Sequence, residues 1–177
     1  MSGHNKWSKI KNKKAASDSQ KSKIFSKLVK LIQNEAKASE GNIDSPGLKS
    51  AIEKAKTANM PSDNITRAIK KGTESGSTNM EQVVYEAYGP GGVAIIIDGL
   101  TDNKNKTAQE VRHILTKNGL SIATAGSASW AFEKANGEFI PKTMVEITED
   151  ADADKLERII EELEENEDVQ EVYTNAK

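Results

Sequence analysis

The residues of this chain best suited to chemistry are cations. Lys6, Lys9, Lys11, Lys13 and Lys14 surround Trp7, and Lys21, Lys23, Lys27 and Lys30 continue the run, so nine of the first thirty residues are lysine and one, Asp18, is acidic. Ammonium groups at this density neutralise phosphates, and an indole among them offers a ring on which a base could stack. A solvated surface normally mixes the two signs. Lysine is a point charge suited to backbone attraction, whereas bidentate reading of base edges favours arginine. The ten residues from Lys6 to Lys30 are therefore candidates for holding a polyanion without reading its sequence.

Two other groupings resemble sites. Asp98, Asp102, Glu110 and His113 fall near a strand end and the following helix, where Glu110 and His113, three apart, could share a face. Asp102 or Asn103 is equally placed to cap that helix, and His4 and His113 are the only histidines. Gly89-Pro90-Gly91-Gly92 has the look of a phosphate cradle, but it lacks the Lys-Ser/Thr of a P-loop, the dinucleotide spacing and a following helix. It reads as a hairpin turn. No nucleophile–base pair or metal-ligand spacing emerges, so neither an enzyme, a metal nor a cofactor is expected.

The charge is divided along the chain. Residues 1–72 hold 16 Lys+Arg against 6 Asp+Glu, and residues 73–177 hold 9 against 21, although the whole sums to −2. The last stretch, 146–177, has 13 acidic against 3 basic residues, a solvated surface that would also repel nucleic acid. Cysteine is absent, so disulfides and thiolate chemistry are excluded. No apolar run approaches the roughly 20 residues of a membrane span, and no apolar segment follows the first lysines as in a signal peptide. A cytoplasmic location without a membrane partner or small-molecule substrate is the expectation.

The elements that must position these residues fall into two groups. Ile24, Leu28, Leu31, Ile32 and Ala36 recur at helical spacing from about Ser19, with the lysines mostly off that stripe, until Glu40-Gly41-Asn42 ends it. Ser45-Pro46 reads as a cap and first turn for a helix carrying Leu48, Ala51, Ile52 and Ala55, stopped at Asn59-Met60-Pro61. A third helix starts near Ser62 or Asp63, buries Ile65, Ala68 and Ile69, and ends at Gly72. A polar linker, 73–80, follows. Strands are expected at 83–88 and 93–97, the second apolar throughout and covered on both faces, then at 128–134, 144–148 and 169–173. Helices are expected at 104–118, with Val111, Ile114 and Leu115 inward, and around Leu156, Ile159, Ile160 and Leu163. The expected fold is α+β: a basic tail and three-helix domain over 1–72, then a compact acidic α/β domain over 81–177 with a mixed or antiparallel sheet in the order ββαββαβ.

Several strings carry a resemblance. Gly3-His4-Asn5-Lys6-Trp7-Ser8-Lys9-Ile10-Lys11, Lys13-Lys14-Ala15-Ala16 and Lys23-Ile24-Phe25-Ser26-Lys27-Leu28 closely resemble the start of the YebC/PmpR family. Asn59-Met60-Pro61, Tyr85-Glu86-Ala87-Tyr88-Gly89-Pro90-Gly91-Gly92-Val93-Ala94, Thr101-Asp102-Asn103 with Lys106-Thr107, and Asp168-Val169-Gln170-Glu171-Val172-Tyr173 follow in family order. Family members usually carry a further α/β domain after the segment resembling 128–134, where this chain has only 135–139, with Asn136-Gly137 as a ready turn. The remaining strands are then expected to close one sheet. The resemblance implies a non-enzymatic protein of the bacterial cytoplasm, described as a DNA-binding transcriptional regulator. As an alternative it implies a translation factor that touches the ribosome and its RNA, since members that include a mitochondrial translational activator are also linked to the ribosome and relief of stalling. Carried over by position, the matched lysines and Trp7 are the polyanion candidates, and the 89–92 turn and the 101–103 block are candidates for structure or a partner surface.

Overall fold

The computed structural model describes residues 6–11 and 18–177. They form two compact units: one is helical and runs to Glu81, and the other contains Gln82–Lys177 together with the described N-terminal segment.

In the helical unit, α2 (Asp18–Ala38), α3 (Pro46–Thr57) and α4 (Ser62–Thr73) surround a core of Ile32, Ala36, Leu48, Ala51, Ala55, Met60, Ile65 and Ala68. Half of these are alanines, which lets the helix axes approach closely. Gly72 extends that logic, because a Cβ there would lie 2.4 Å from the Gln33 carbonyl oxygen. α2 stops where Gly41 turns to φ +81° and its N–H donates to the Ala36 carbonyl, a left-handed C-terminal cap. Two expectations shift. Ile24 is 44% exposed, so the buried stripe of α2 begins a turn later. Ser45 precedes α3 but makes no side-chain cap; Pro46 supplies the first turn by its fixed φ, and Lys49 N–H closes it on the Ser45 carbonyl.

The second unit is built on a three-stranded sheet in the order β1-β2-β5, from β1 (Glu81–Tyr88), β2 (Ala94–Thr101) and β5 (Val169–Thr174). β2 and β5 are antiparallel, with Ile96 opposite Tyr173. The central strand is buried on both faces over Ala94–Ile97, as the lack of polar residues in that stretch predicts. Ile95 and Ile97 face α5 (Lys104–Lys117) and α6 (Asp150–Glu165) in one core with Val111, Leu115, Leu156, Ile159 and Leu163. Ala94 and Ile96 face a second core with Ala128, Ala131 and Phe132. Gly89-Pro90-Gly91-Gly92 turns the chain from β1 into β2, with φ +71° at Gly91 and +80° at Gly92.

The element order is ββαββαβ, but the middle strands differ from expectation. β3 (Phe132–Ala135) and β4 (Glu138–Pro141) form a separate antiparallel hairpin around Asn136-Gly137, not part of one closed sheet. Phe139 of that hairpin packs on Tyr173, ring centroids 5.3 Å apart. Residues 144–148 form no strand; Val145 makes a single parallel bridge to Ala176, where the chain's last residues occupy its hydrogen-bonding edge. Residues 129–131 form a 3-10 turn because the Glu86 carboxylate draws the backbone N–H groups of this loop out of an extended ladder.

Candidate nucleic-acid interface

The charged N-terminal segment folds as a short helix, α1 (Lys6–Lys11), and packs on α6 of the α/β unit rather than joining the helical domain. Trp7 explains why. Its ring is 5% exposed and belongs to the same core as Ala153, Leu156 and Ile159. An indole of that size anchors six residues that could not hold a helix alone. Trp7 is therefore a core residue here, contrary to the expectation of a ring presented to a base.

Lys6 Nζ lies 2.7 Å from Asp154 Oδ2. Its hydrogen bond to Asp154, together with the charges of Asp154, Asp150 and Glu157, holds the ammonium above the usual lysine range despite some desolvation. The basic and acidic ends of the sequence thus touch at this point. Lys9 and Lys11 remain exposed on α1. Lys13 and Lys14 lie outside the described residues.

The remaining four candidates are on α2. Lys23, Lys27 and Lys30 are four and three residues apart and so share one side of the helix, while Lys21 starts the run. Lys21 and Lys23 are exposed, and Lys27 and Lys30 are half-buried. Within 18–81 the chain carries 11 Lys+Arg against 8 Asp+Glu, so the strongest positive density of the N-terminal half resides in its first 17 residues. Sequence reasoning passed over Arg67, Lys70 and Lys71, exposed on α4, because they do not form a continuous run.

The alternative grouping is dispersed into structural roles. Asp98 accepts from Gln82 Nε2 at 2.9 Å, and Glu110 accepts from Asn166 Nδ2 at 2.7 Å and pairs with Lys106 at 3.5 Å. Asn103, not Asp102, caps α5 by accepting from Lys106 N–H. His113 is exposed on α5. Among the described residues, no group of three or more His, Asp or Glu side chains could hold a metal ion.

Two buried polar centres were invisible in the sequence. Thr107 Oγ1 donates to Asp168 Oδ2 at 2.9 Å and lies 2.8 Å from Thr101 Oγ1, pinning α5 to the start of β5. Lys106, 3.8 Å from that carboxylate, is held above its ordinary range chiefly by Asp168 and then by Glu110. Glu86, 6% exposed on β1, accepts from Gly126 N–H at 2.6 Å, Ala128 N–H at 2.9 Å and Ser129 N–H at 2.6 Å. Burial pushes this carboxyl up, but the three N–H donors outweigh it and leave it below the usual carboxylate range.

The described chain thus comprises a lysine-bearing helical unit and an antiparallel α+β unit whose buried carboxylates, Glu86 and Asp168, are engaged in internal hydrogen bonds. Sequence models of the TACO1/YebC protein N-terminal domain and of the TACO1/YebC second and third domain match residues 5–75 and residues 80–136 with 132–176, respectively. The chain belongs to the TACO1/YebC family. The N-terminal match runs through α1, although α1 packs with the other unit. A Thermotoga petrophila "Probable transcriptional regulatory protein" is 47% identical over all of this chain and 71% of its own length. A Thermosipho africanus protein of the same name is 44% identical over 236 residues, 99% of this chain and 93% of the relative. That alignment exceeds 177 residues, so the relative carries an internal stretch with no counterpart here, and the two matched segments of the second family model meet at 132–136, beside the β3–β4 turn. The crystal structure of a conserved hypothetical protein, Aq1575 from Aquifex aeolicus, aligns with a TM-score of 0.79 at 31% identity, covering 98% of this chain and 97% of that one. No helix among the described residues is long and apolar enough to cross a membrane.

Proposed function

We propose that this chain is a non-enzymatic, nucleic-acid-binding regulator of gene expression that acts in the cytoplasm as a DNA-binding transcriptional regulator. One observation carries the reading: of the six described lysines Lys9, Lys11, Lys21, Lys23, Lys27 and Lys30, the first four are exposed and the last two partly exposed. The names of the relatives support the regulatory role. Six phosphate contacts would give log K a slope against log salt of about −5 on duplex DNA.

A second reading is binding to ribosomal RNA as a translation factor that relieves stalling. It is favoured by the absence of arginine from α1 and α2, whose lysines attract a backbone and read no base edge. Ribosome pelleting in graded salt, run beside footprinting on promoter DNA, separates the two. A discrete protected site without ribosome association supports the transcriptional reading. Co-sedimentation without any protected site overturns it in favour of the ribosome, and neither result with either partner overturns both.

A further inference from the structure

Trp130 and Tyr88 form an exposed aromatic pair whose polar atoms are already engaged. Trp130 Nε1 donates to the Tyr88 hydroxyl at 2.9 Å, and that hydroxyl donates to the Ser127 carbonyl. Trp130 is 54% and Tyr88 39% exposed. A ligand meeting these rings finds π-faces, not free donors. The pair is also fixed in place, because the Glu86 carboxylate ties down Gly126, Ala128 and Ser129 on the chain leading into Trp130. A large exposed indole held this firmly has no role in the core.

The charge around the pair decides what it fits. Residues 82–177 carry 19 Asp+Glu against 9 Lys+Arg, a surface hostile to nucleic acid. Yet residues 87–97 and 118–132, the segments that carry Tyr88 and Trp130, contain no charged side chain. Of the carboxylates that adjoin these segments in sequence, Glu86 is buried and saturated with backbone donors, Asp98 accepts from Gln82, and Glu133 is exposed on β3. A neutral planar base stacks on such rings without needing a flanking charge, and the polar atoms of the pair are already engaged with each other and with Ser127.

We propose that Trp130 and Tyr88 are a stacking platform for an unpaired nucleobase, so that the α/β unit contributes base contact in addition to the backbone attraction of Lys9 and Lys11 on its own α1. The proposal rests on the nucleic-acid reading above. The test titrates the full chain with a fluorescent oligouridylate of twelve nucleotides and with an abasic twelve-mer of the same phosphate count. Trp130→Ala is expected to weaken the base-bearing oligomer by about fivefold to a hundredfold, to leave the abasic one unaffected, and to leave the salt slope unchanged. Trp130→Phe, which keeps a ring, should retain most of the affinity. In a Trp7→Phe background, the emission of Trp130 should be quenched by the base-bearing oligomer alone. Equal binding of both oligomers, unaltered by Trp130→Ala, overturns the platform and leaves the lysine reading intact. No binding of either oligomer by the unmodified chain overturns both. Quenching by an arginine-rich or proline-rich peptide, with none by the oligouridylate, overturns the choice of a base.

Discussion

Lys6 and Asp154 stand 148 residues apart in sequence and 2.7 Å apart in space. The contact brings the most basic segment of the chain onto its most acidic helix, so part of the positive charge is balanced internally. Its partner in that docking, Trp7, contributes the burial that fixes α1, since an exposed ion pair alone contributes little. Lys6 should therefore count for less in polyanion binding than its neighbours do. Lys6→Gln is expected to change the salt slope less than Lys9→Gln or Lys11→Gln, and Asp154→Asn to steepen it. Fluorescence anisotropy against salt concentration measures all four proteins. An equal loss of slope from each lysine would show that Lys6 contacts phosphate.

Trp7 separates a structural from a binding role. Trp7→Ala is expected to destabilise the protein by about 3–5 kcal/mol, as for other large aromatic truncations in a core. Thermal unfolding of the full chain reads this directly. An unchanged melting temperature with weakened nucleic-acid binding would return Trp7 to the surface role that the sequence predicted.

Glu86 makes the loop before Trp130 sensitive to acid. Its carboxyl titrates below the ordinary range in the folded protein, so the unfolded state binds the proton more readily. The stabilisation is present above the ordinary carboxylate range and is lost as pH falls through the depressed folded value. Glu86→Gln should remove this part of the pH dependence and cost about 1–3 kcal/mol, because the amide keeps one acceptor oxygen, loses the negative charge, and sets an NH2 donor against a backbone N–H that the second carboxylate oxygen had satisfied. Melting temperatures between pH 7 and pH 3 for both proteins check the sign. A mutant as stable as wild type at pH 7 would contradict the assignment.

Gly72 tests the packing of the helical unit. Gly72→Val would force its side chain into the Gln33 backbone and is expected to cost at least 1–3 kcal/mol. Circular dichroism melts report it. Gly76→Val should be milder, because a Cβ there meets nothing within 4 Å, and its φ of +84° is the source of strain.

Much of this fold was legible because periodicity records burial. The three helices after Asp18 follow their apolar stripes, and the unbroken Val93–Ile97 run marks the central strand. The pattern failed where one side chain organises distant backbone. Alternation at Ala128, Trp130 and Phe132 reads as a strand, but Glu86, 42 residues earlier, takes the N–H of Ala128 and turns the segment. Trp7 looked like a surface ring because its neighbours are lysines; its apolar partners lie on α6, beyond the reach of local pattern. Likewise Thr107 and Asp168 are ordinary polar residues until the sheet brings them within 2.9 Å. The lysines of α2 stand out in the sequence because charge density needs no tertiary information, and their contact with a polyanion is a proposal.

The dependence of nucleic-acid affinity on salt tests the central claim most directly. The full chain and the Lys23→Gln/Lys27→Gln/Lys30→Gln variant would each be titrated with duplex DNA at several salt concentrations. The expected slope is near −5 for the full chain and shallower by about 2.7 in the triple variant, with circular dichroism unchanged. Identical slopes and affinities in the two proteins would contradict it.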